Sequence, residues 1–349
     1  MTTTTALSEA VDSRSRSDVM VVDDLKVQFT SRRGLFGRRT FRAIDGVSFT
    51  LARGETLGIV GESGCGKSTL VRTLFGINKI AGGKFEILGR DMTALSTRDR
   101  RSIRNRVQLV FQDPFSALDP RMTAHDIVAE PLRIARMYSR ARVIELFEQV
   151  GLQREMLERR PHQFSGGQRQ RIGIARALAL EPDVLVLDEP VSALDVSVQA
   201  QVINLLQDLQ EKRGLSYLFI AHDLSVVRHL SDRVAVMHLG KIVEMGTTEE
   251  VFSRPRHPYT RALLAAVPVP DPHQRGRDSS MIIRGELPDA SSAPGGCSFR
   301  TRCPLASPAC SQAEPPLLVA TEGGSAAACF FPLDELVEGV SPHRTRSIH

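Results

Sequence analysis

A chain of 349 residues with 42% apolar side chains and 26 glycines has the length of about two domains and the composition of a folded globular protein, which excludes global disorder, a collagen-like fibre and an integral membrane protein. Lys and Arg exceed Asp and Glu by only five, a surplus that neither demands nor forbids a polyanionic partner. Five cysteines are too few for a disulfide scaffold, but four of them fall between 297 and 329.

Residues 1–18, MTTTTALSEAVDSRSRSD, form a polar tail without the apolar stretch of a secretory signal, so the chain is expected to stay in the cytosol. The longest apolar runs, VLVL at 184–187 and LLAAV at 263–267, fall far short of the ~18 residues of a spanning helix. Any membrane contact is therefore expected through a partner. From Val19, VMVVDDLKVQF and AIDGVSFTL read as strands separated by the basic loop SRRGLFGRRTFR (31–42), taken as a solvated turn. ETLGIVG is an apolar strand entering a Gly-rich turn, and KSTLVRTLFG has helical spacing, the opening of an α/β domain.

Between about 119 and 180, AHDIVAEPLRIARM, SRARVIELFEQVGL and QRQRIGIARALAL carry apolar residues at helical spacing and predict a helical insertion. Strands resume with DVLVLDEP and LSYLFIAHD, joined by the amphipathic helix QAQVINLLQDLQEKRG, and RVAVMHLGKIVEMG reads as a hairpin. Thirteen of the nineteen prolines lie beyond residue 254, so a second, loop-rich domain is expected there. No internal repeat is visible.

GESGCGKST (61–69) fits the phosphate-loop pattern in the required context of strand before and helix after. Gly61, Gly64 and Gly66 let backbone N–H groups converge on phosphates, Lys67 supplies a point charge, Ser68 a Mg²⁺ ligand, and the helix opening near Lys67 its positive dipole end. Ser63 and Thr69 complete the loop, and the Cys65 side chain is expected to pack. A nucleotide–Mg²⁺ site also needs a carboxylate at a strand end. DVLVLDE supplies Asp188 for Mg²⁺ and Glu189 to polarise water, 121 residues after Lys67.

FSGGQRQRIGIARAL (164–178) closely resembles the signature segment of ATP-binding cassette (ABC) ATPases, with Phe164 where Leu is commonest. The resemblance implies an α/β fold: a P-loop NTPase, RecA-like core at 19–255 with a helical subdomain at about 119–180, and a small C-terminal domain at 256–335, flanked by tails at 1–18 and 336–349. It implies that Ser165, Gly166, Gly167 and Gln168 cap the γ-phosphate of ATP held by a second subunit. Gln112 matches the loop glutamine that senses Mg²⁺ and water, Asp195 the D-loop after Glu189, and His222 the switch histidine. Phe29, or alternatively Phe41, would stack on adenine.

QDPFSALDPRMT, RHPYTRALLAAVP (256–268), GELP (285–288) and GCSFRTRCP (296–304) are similar to the ATPases of dipeptide/oligopeptide importers. That resemblance implies two permease subunits, a sibling ABC ATPase in a head-to-tail dimer, an extracytoplasmic solute-binding protein, attachment to the cytoplasmic face of the inner membrane, and no nucleic acid partner. Nickel and some glycoside importers share the tail. A cassette ATPase acting on DNA or ribosomes would carry long coiled coils or a second cassette, and neither is present. Cys297, Cys303, Cys310 and Cys329, spaced unlike a zinc ribbon, could hold zinc or a four-iron, four-sulfur cluster; members of the family carry such a cluster in this tail.

Overall fold

The computed structural model describes residues 18–33, 37–113, 116–266, 288, 294–319 and 324–334. Residues 1–17 of the predicted 1–18 tail, the predicted tail at 336–349 and residues 285–287 of GELP lie outside them. In chain order the strands are β1 (Asp18–Arg33), β2 (Gly37–Ala52), β3 (Thr56–Val60), β4 (Gly82–Ile87), β5 (Arg90–Asp91), β6 (Val107–Val110), β7 (Val184–Asp188), β8 (Ser216–Ile220), β9 (Arg233–His238), β10 (Lys241–Thr247) and β11 (Ala326–Ala327). The helices are α1 (Lys67–Leu74), α2 (Thr97–Arg104), α3 (Ala124–Ile134), α4 (Arg140–Gln149), α5 (Gly166–Leu178), α6 (Val196–Arg213), α7 (Leu224–Leu230), α8 (Thr248–Ser253), α9 (Pro258–Ala265) and α10 (Ala309–Gln312).

The main sheet has seven strands in the order β11-β10-β9-β3-β8-β7-β6, and its β9-β3-β8-β7-β6 part is parallel. A parallel strand covered on both faces must be apolar at successive positions. VLVL obeys this: Val184 and Val186 join one core, with Leu57, Ile59, Leu218 and Ile220, whereas Leu185 and Leu187 join the other, with Tyr217 and Phe219. Each such side chain contributes roughly 1.5–3 kcal/mol on burial. The first core also carries the antiparallel sheet β2-β1-β4-β5; the second carries the helices α3, α4 and α5 of the insertion.

The basic 31–42 segment is not a turn over its whole length. β1 and β2 continue pairing out to Arg33 opposite Gly37, so the ladder carries most of that segment. The charge run hid the strand because alternation is read from apolar residues, and the run SRR…RRT offers none. The last segment is not separate from the main core: β11 pairs with β10 at the sheet edge, and Cys297, Phe299 and Cys310 pack in the core shared with the insertion helices. Among the described residues no helix is long and apolar enough to cross a membrane.

Candidate nucleotide site

Four parallel strands adjacent in the sheet, β6, β7, β8 and β3, each end in a loop that carries a predicted site residue. Gln112 follows β6, Asp188 and Glu189 end β7, His222 follows β8, and the 61–69 loop follows β3. The carboxyl edge of an open α/β sheet is where ligands bind, because the loops there diverge and helix N-termini face the crevice.

The loop after β3 curls tightly enough to demand glycine. A Cβ on Gly61 would sit 2.2 Å from the Met237 carbonyl oxygen and 2.8 Å from Cys65 Sγ, and one on Gly66 2.9 Å from the Ala43 carbonyl oxygen. Gly66, with φ at +114°, is the N-cap of α1 and puts no side chain on the first N–H groups of the helix. Those donors and the helix dipole are thus available to an anion. Ser63, Gly64 and Ser68 are exposed on the loop, Thr69 is half-buried, and Cys65 is buried as expected. The buried Lys67 donates from Nζ to the carbonyls of Gly61 (2.6 Å) and Glu62 (3.0 Å), which fixes its ammonium inside the curl.

Burial, together with the adjacent Glu189, raises the Asp188 pKa above the usual carboxylate range, and the Lys67 ammonium partly offsets this. Glu189 adopts φ +47°, a left-handed conformation that costs a non-glycine residue roughly 1–2 kcal/mol. Its N–H donates to the Ile220 carbonyl (2.8 Å), and its Oε2 accepts Gln112 Nε2 at 2.8 Å and faces His222 Nδ1 at 3.1 Å. Gln112 and His222 therefore converge on one oxygen of Glu189, although 77 residues separate Gln112 from Glu189 in sequence.

The SGGQ segment folds as its composition dictates. Ser165 Oγ accepts the Gln168 N–H (3.3 Å) and Gln168 Oε1 accepts the Ser165 N–H (3.0 Å), a reciprocal capping box that opens α5. A Cβ on Gly167 would lie 2.3 Å from Val198 Cγ1, so this glycine allows α6 to pack close; Gly166 faces Leu194. Asp195 is the N-cap of α6, its carboxylate accepting the Val198 N–H at 2.9 Å. Among the described residues no hydrogen bond or ion pair joins this segment to the Lys67–Glu189 set. Phe29 and Phe41 are cross-strand partners on β1 and β2 with ring centroids 5.7 Å apart; Phe29 is the more exposed.

Sequence reasoning missed Glu62, His238, Tyr259 and Arg302, which the fold brings to the back of the phosphate loop. Arg302 and Glu62 are 240 positions apart, and no spacing rule connects them.

With this geometry in view, the matches to known families are decisive. The model of the ABC transporter family matches residues 44–192, and that of the oligopeptide/dipeptide transporter C-terminal region matches residues 243–310. The chain belongs to the ATP-binding subunits of ABC transporters, in the oligopeptide/dipeptide family, and is an ATPase of that class. It is 51% identical over 311 residues to the oligopeptide transport ATP-binding protein OppF of Salmonella typhimurium, covering 86% of this chain and 93% of the relative. It is 50% identical over 308 residues to the oligopeptide transport ATP-binding protein AppF of Bacillus subtilis, covering 86% and 94%. Among solved structures, it is similar to the dimeric cassette MJ0796 in a post-hydrolysis state bound to ADP and Pi (TM-score 0.57, 28% identity, 66% of this chain and 98% of that one). It is also similar to cbiO1 of Clostridium perfringens, part of a cbiONQ ABC transporter complex (TM-score 0.59, 28% identity, 68% and 91%).

Proposed function

We propose that this ATPase powers import of di- and oligopeptides through a membrane complex of two permeases, a sibling ABC ATPase and an extracytoplasmic solute-binding protein. The observation that carries the reading is the joining, in one chain, of a complete set of catalytic loops with the C-terminal region of the oligopeptide/dipeptide family. The same complex for nickel is the second reading, on the strength of the shared tail.

In this proposal Lys67, the N–H groups of the 61–69 loop and the N-terminus of α1 hold the β- and γ-phosphates, and Phe29 or Phe41 covers the adenine. Ser68, Gln112 and Asp188 would hold Mg²⁺, whose charge would neutralise that of the phosphates. Gln112 and His222 both address Oε2 of Glu189, leaving Oε1 to orient a water. That water's oxygen bonds to the γ-phosphorus as the bond to the β–γ bridging oxygen breaks; ADP and phosphate leave, and Glu189 takes the proton. Ser165 to Gln168 and Asp195 act on nucleotide bound by the sibling, in keeping with their hydrogen bonds being to their own helix N-termini. Phe111, beside Gln112 and 48% exposed, and exposed Ile134, Met137 and Tyr138 at the end of α3 are apolar side chains available for the permeases to dock on. Residues 256–335 are an accessory region on the cassette.

The same region supports a metal centre. Cys297, Cys303, Cys310 and Cys329 line a single cavity of about 10 Å³, walled by Phe299, Phe330 and Phe331. Burial raises the Cys297 thiol and pushes Cys303 up to about 11 and Cys329 up to about 12, which favours the thiol form at these three. Among the described residues, no group of three or more His, Cys, Asp or Glu is placed to hold an ion as the side chains stand. The cavity has room for about one water. Cys297, Cys303, Cys310 and Cys329 would be the ligands of either a four-iron, four-sulfur cluster or zinc. The donor set of four thiols suits either, and we favour the cluster, which would tie together the segments that carry the four cysteines. Anaerobic purification with iron, sulfide and zinc analysis decides: near four iron and four sulfide per chain supports the cluster, stoichiometric zinc or no metal overturns it. Gentle detergent isolation from the native membrane tests the complex; recovery of permeases and a solute-binding protein carrying peptide supports it, and recovery without permeases overturns it.

A further inference from the structure

Glu62 is an odd residue to find second in a loop that binds polyanions, and its three polar groups are all engaged. Its N–H donates to Tyr259 Oη (3.0 Å), its carbonyl accepts Lys67 Nζ (3.0 Å), and its carboxylate accepts both terminal nitrogens of Arg302, at 3.0 and 2.6 Å. The fork-on-carboxylate geometry fixes direction as well as distance. Arg302 is itself immobilised: its side chain is 4% exposed, it donates to His238 Nε2 at 2.9 Å, and it lies over the Phe299 ring at 5.6 Å. His238 is a suitable acceptor because burial and the neighbouring guanidinium keep it neutral, and its Nδ1 lies 3.0 Å from Ser298 Oγ.

We infer that Arg302 is a positioning residue of the ATP site: through Glu62 it sets the phosphate loop that holds Lys67, and it cancels the one negative charge in that loop. The chain of contacts runs from the cysteine-bearing segment through Arg302 and Glu62 to the Lys67 ammonium. Nothing in it depends on the cargo.

The test is the dissociation constant for MgATP of the full-length chain, by titration calorimetry. Arg302→Gln leaves an uncancelled carboxylate beside the triphosphate and raises the constant by about tenfold, the effect of one charge roughly 10 Å away at an effective dielectric of ~20. Arg302→Lys keeps the charge but loses the fork, and raises it by about threefold. The discriminating variant is Glu62→Gln combined with Arg302→Gln: with both charges gone, affinity returns to within about threefold of wild type. A purely structural contact would give a double variant no better than the single. That outcome, or unchanged affinity in a folded Arg302→Gln, overturns the inference. If Arg302→Gln does not fold, Arg302→Lys carries the test alone: a threefold weaker constant supports the inference, and unchanged affinity overturns it.

Discussion

His238 and His257 are 0% and 1% exposed, and burial lowers them to about 3 and about 4, against the ordinary 6.5. At pH 7.5 both are neutral folded or unfolded. As the pH falls through 6.5 the unfolded chain takes up a proton at each, whereas the folded chain does not until pH 3–4. The stability associated with depressed values is therefore whole above pH 6.5 and lost below it. Between pH 7.5 and 5 the loss is about 2 kcal/mol per histidine, about 4 kcal/mol for both, a large part of the ~5–15 kcal/mol that holds a typical domain. His257→Asn separates this effect from the rest. His257 Nδ1 accepts the Tyr259 N–H (3.0 Å) as N-cap of α9, and asparagine offers an oxygen to the same donor without titrating. Urea unfolding at the two pH values should show the loss falling from about 4 to about 2 kcal/mol in the variant. An equal loss in wild type and variant, or a wild type indifferent to this pH change, would refute the reasoning.

Two further substitutions test other parts of the account. Gly61→Ala drives a Cβ to 2.2 Å from the Met237 carbonyl oxygen, so the loop must shift; ATP affinity should fall by at least an order of magnitude, and wild-type affinity would show that the curl is not required. Glu244 is fully buried and accepts the N–H groups of Arg256 (2.8 Å) and His257 (2.9 Å) and the Ser325 hydroxyl (2.5 Å). Glu244→Ala orphans all three at roughly 1–3 kcal/mol each, so stability should drop by about 3 kcal/mol or more and proteolysis should begin in the 294–334 segment; a drop below about 1 kcal/mol would contradict this.

The sequence carried the catalytic edge well because each part depends on local chemistry. GESGCGKST needs its glycines wherever it occurs, VLVL must be a two-faced buried strand, and Ser165 with Gln168 writes a capping box in four residues. The order β6-β7-β8-β3, which unites Gln112, Glu189 and His222, is a property of topology and is visible only in the fold. Two features were hidden for different reasons. The ends of β1 and β2, paired out to Arg33 opposite Gly37, carry a charge run with no apolar alternation to reveal the strands, and the Arg302–Glu62 clamp joins residues whose separation leaves no local pattern. The cysteine spacing suggested a shared site but not its surroundings; only the fold places all four around one apolar cavity.

The central claim, that Glu189 orients the attacking water while the loop and Lys67 hold ATP, is tested most directly by Glu189→Gln in the full-length protein assembled with its partners. Glutamine keeps the shape but cannot take a proton, so MgATP affinity should stay within about threefold of wild type while steady-state hydrolysis falls by at least about a hundredfold. Hydrolysis near the wild-type rate with affinity preserved would contradict the assignment.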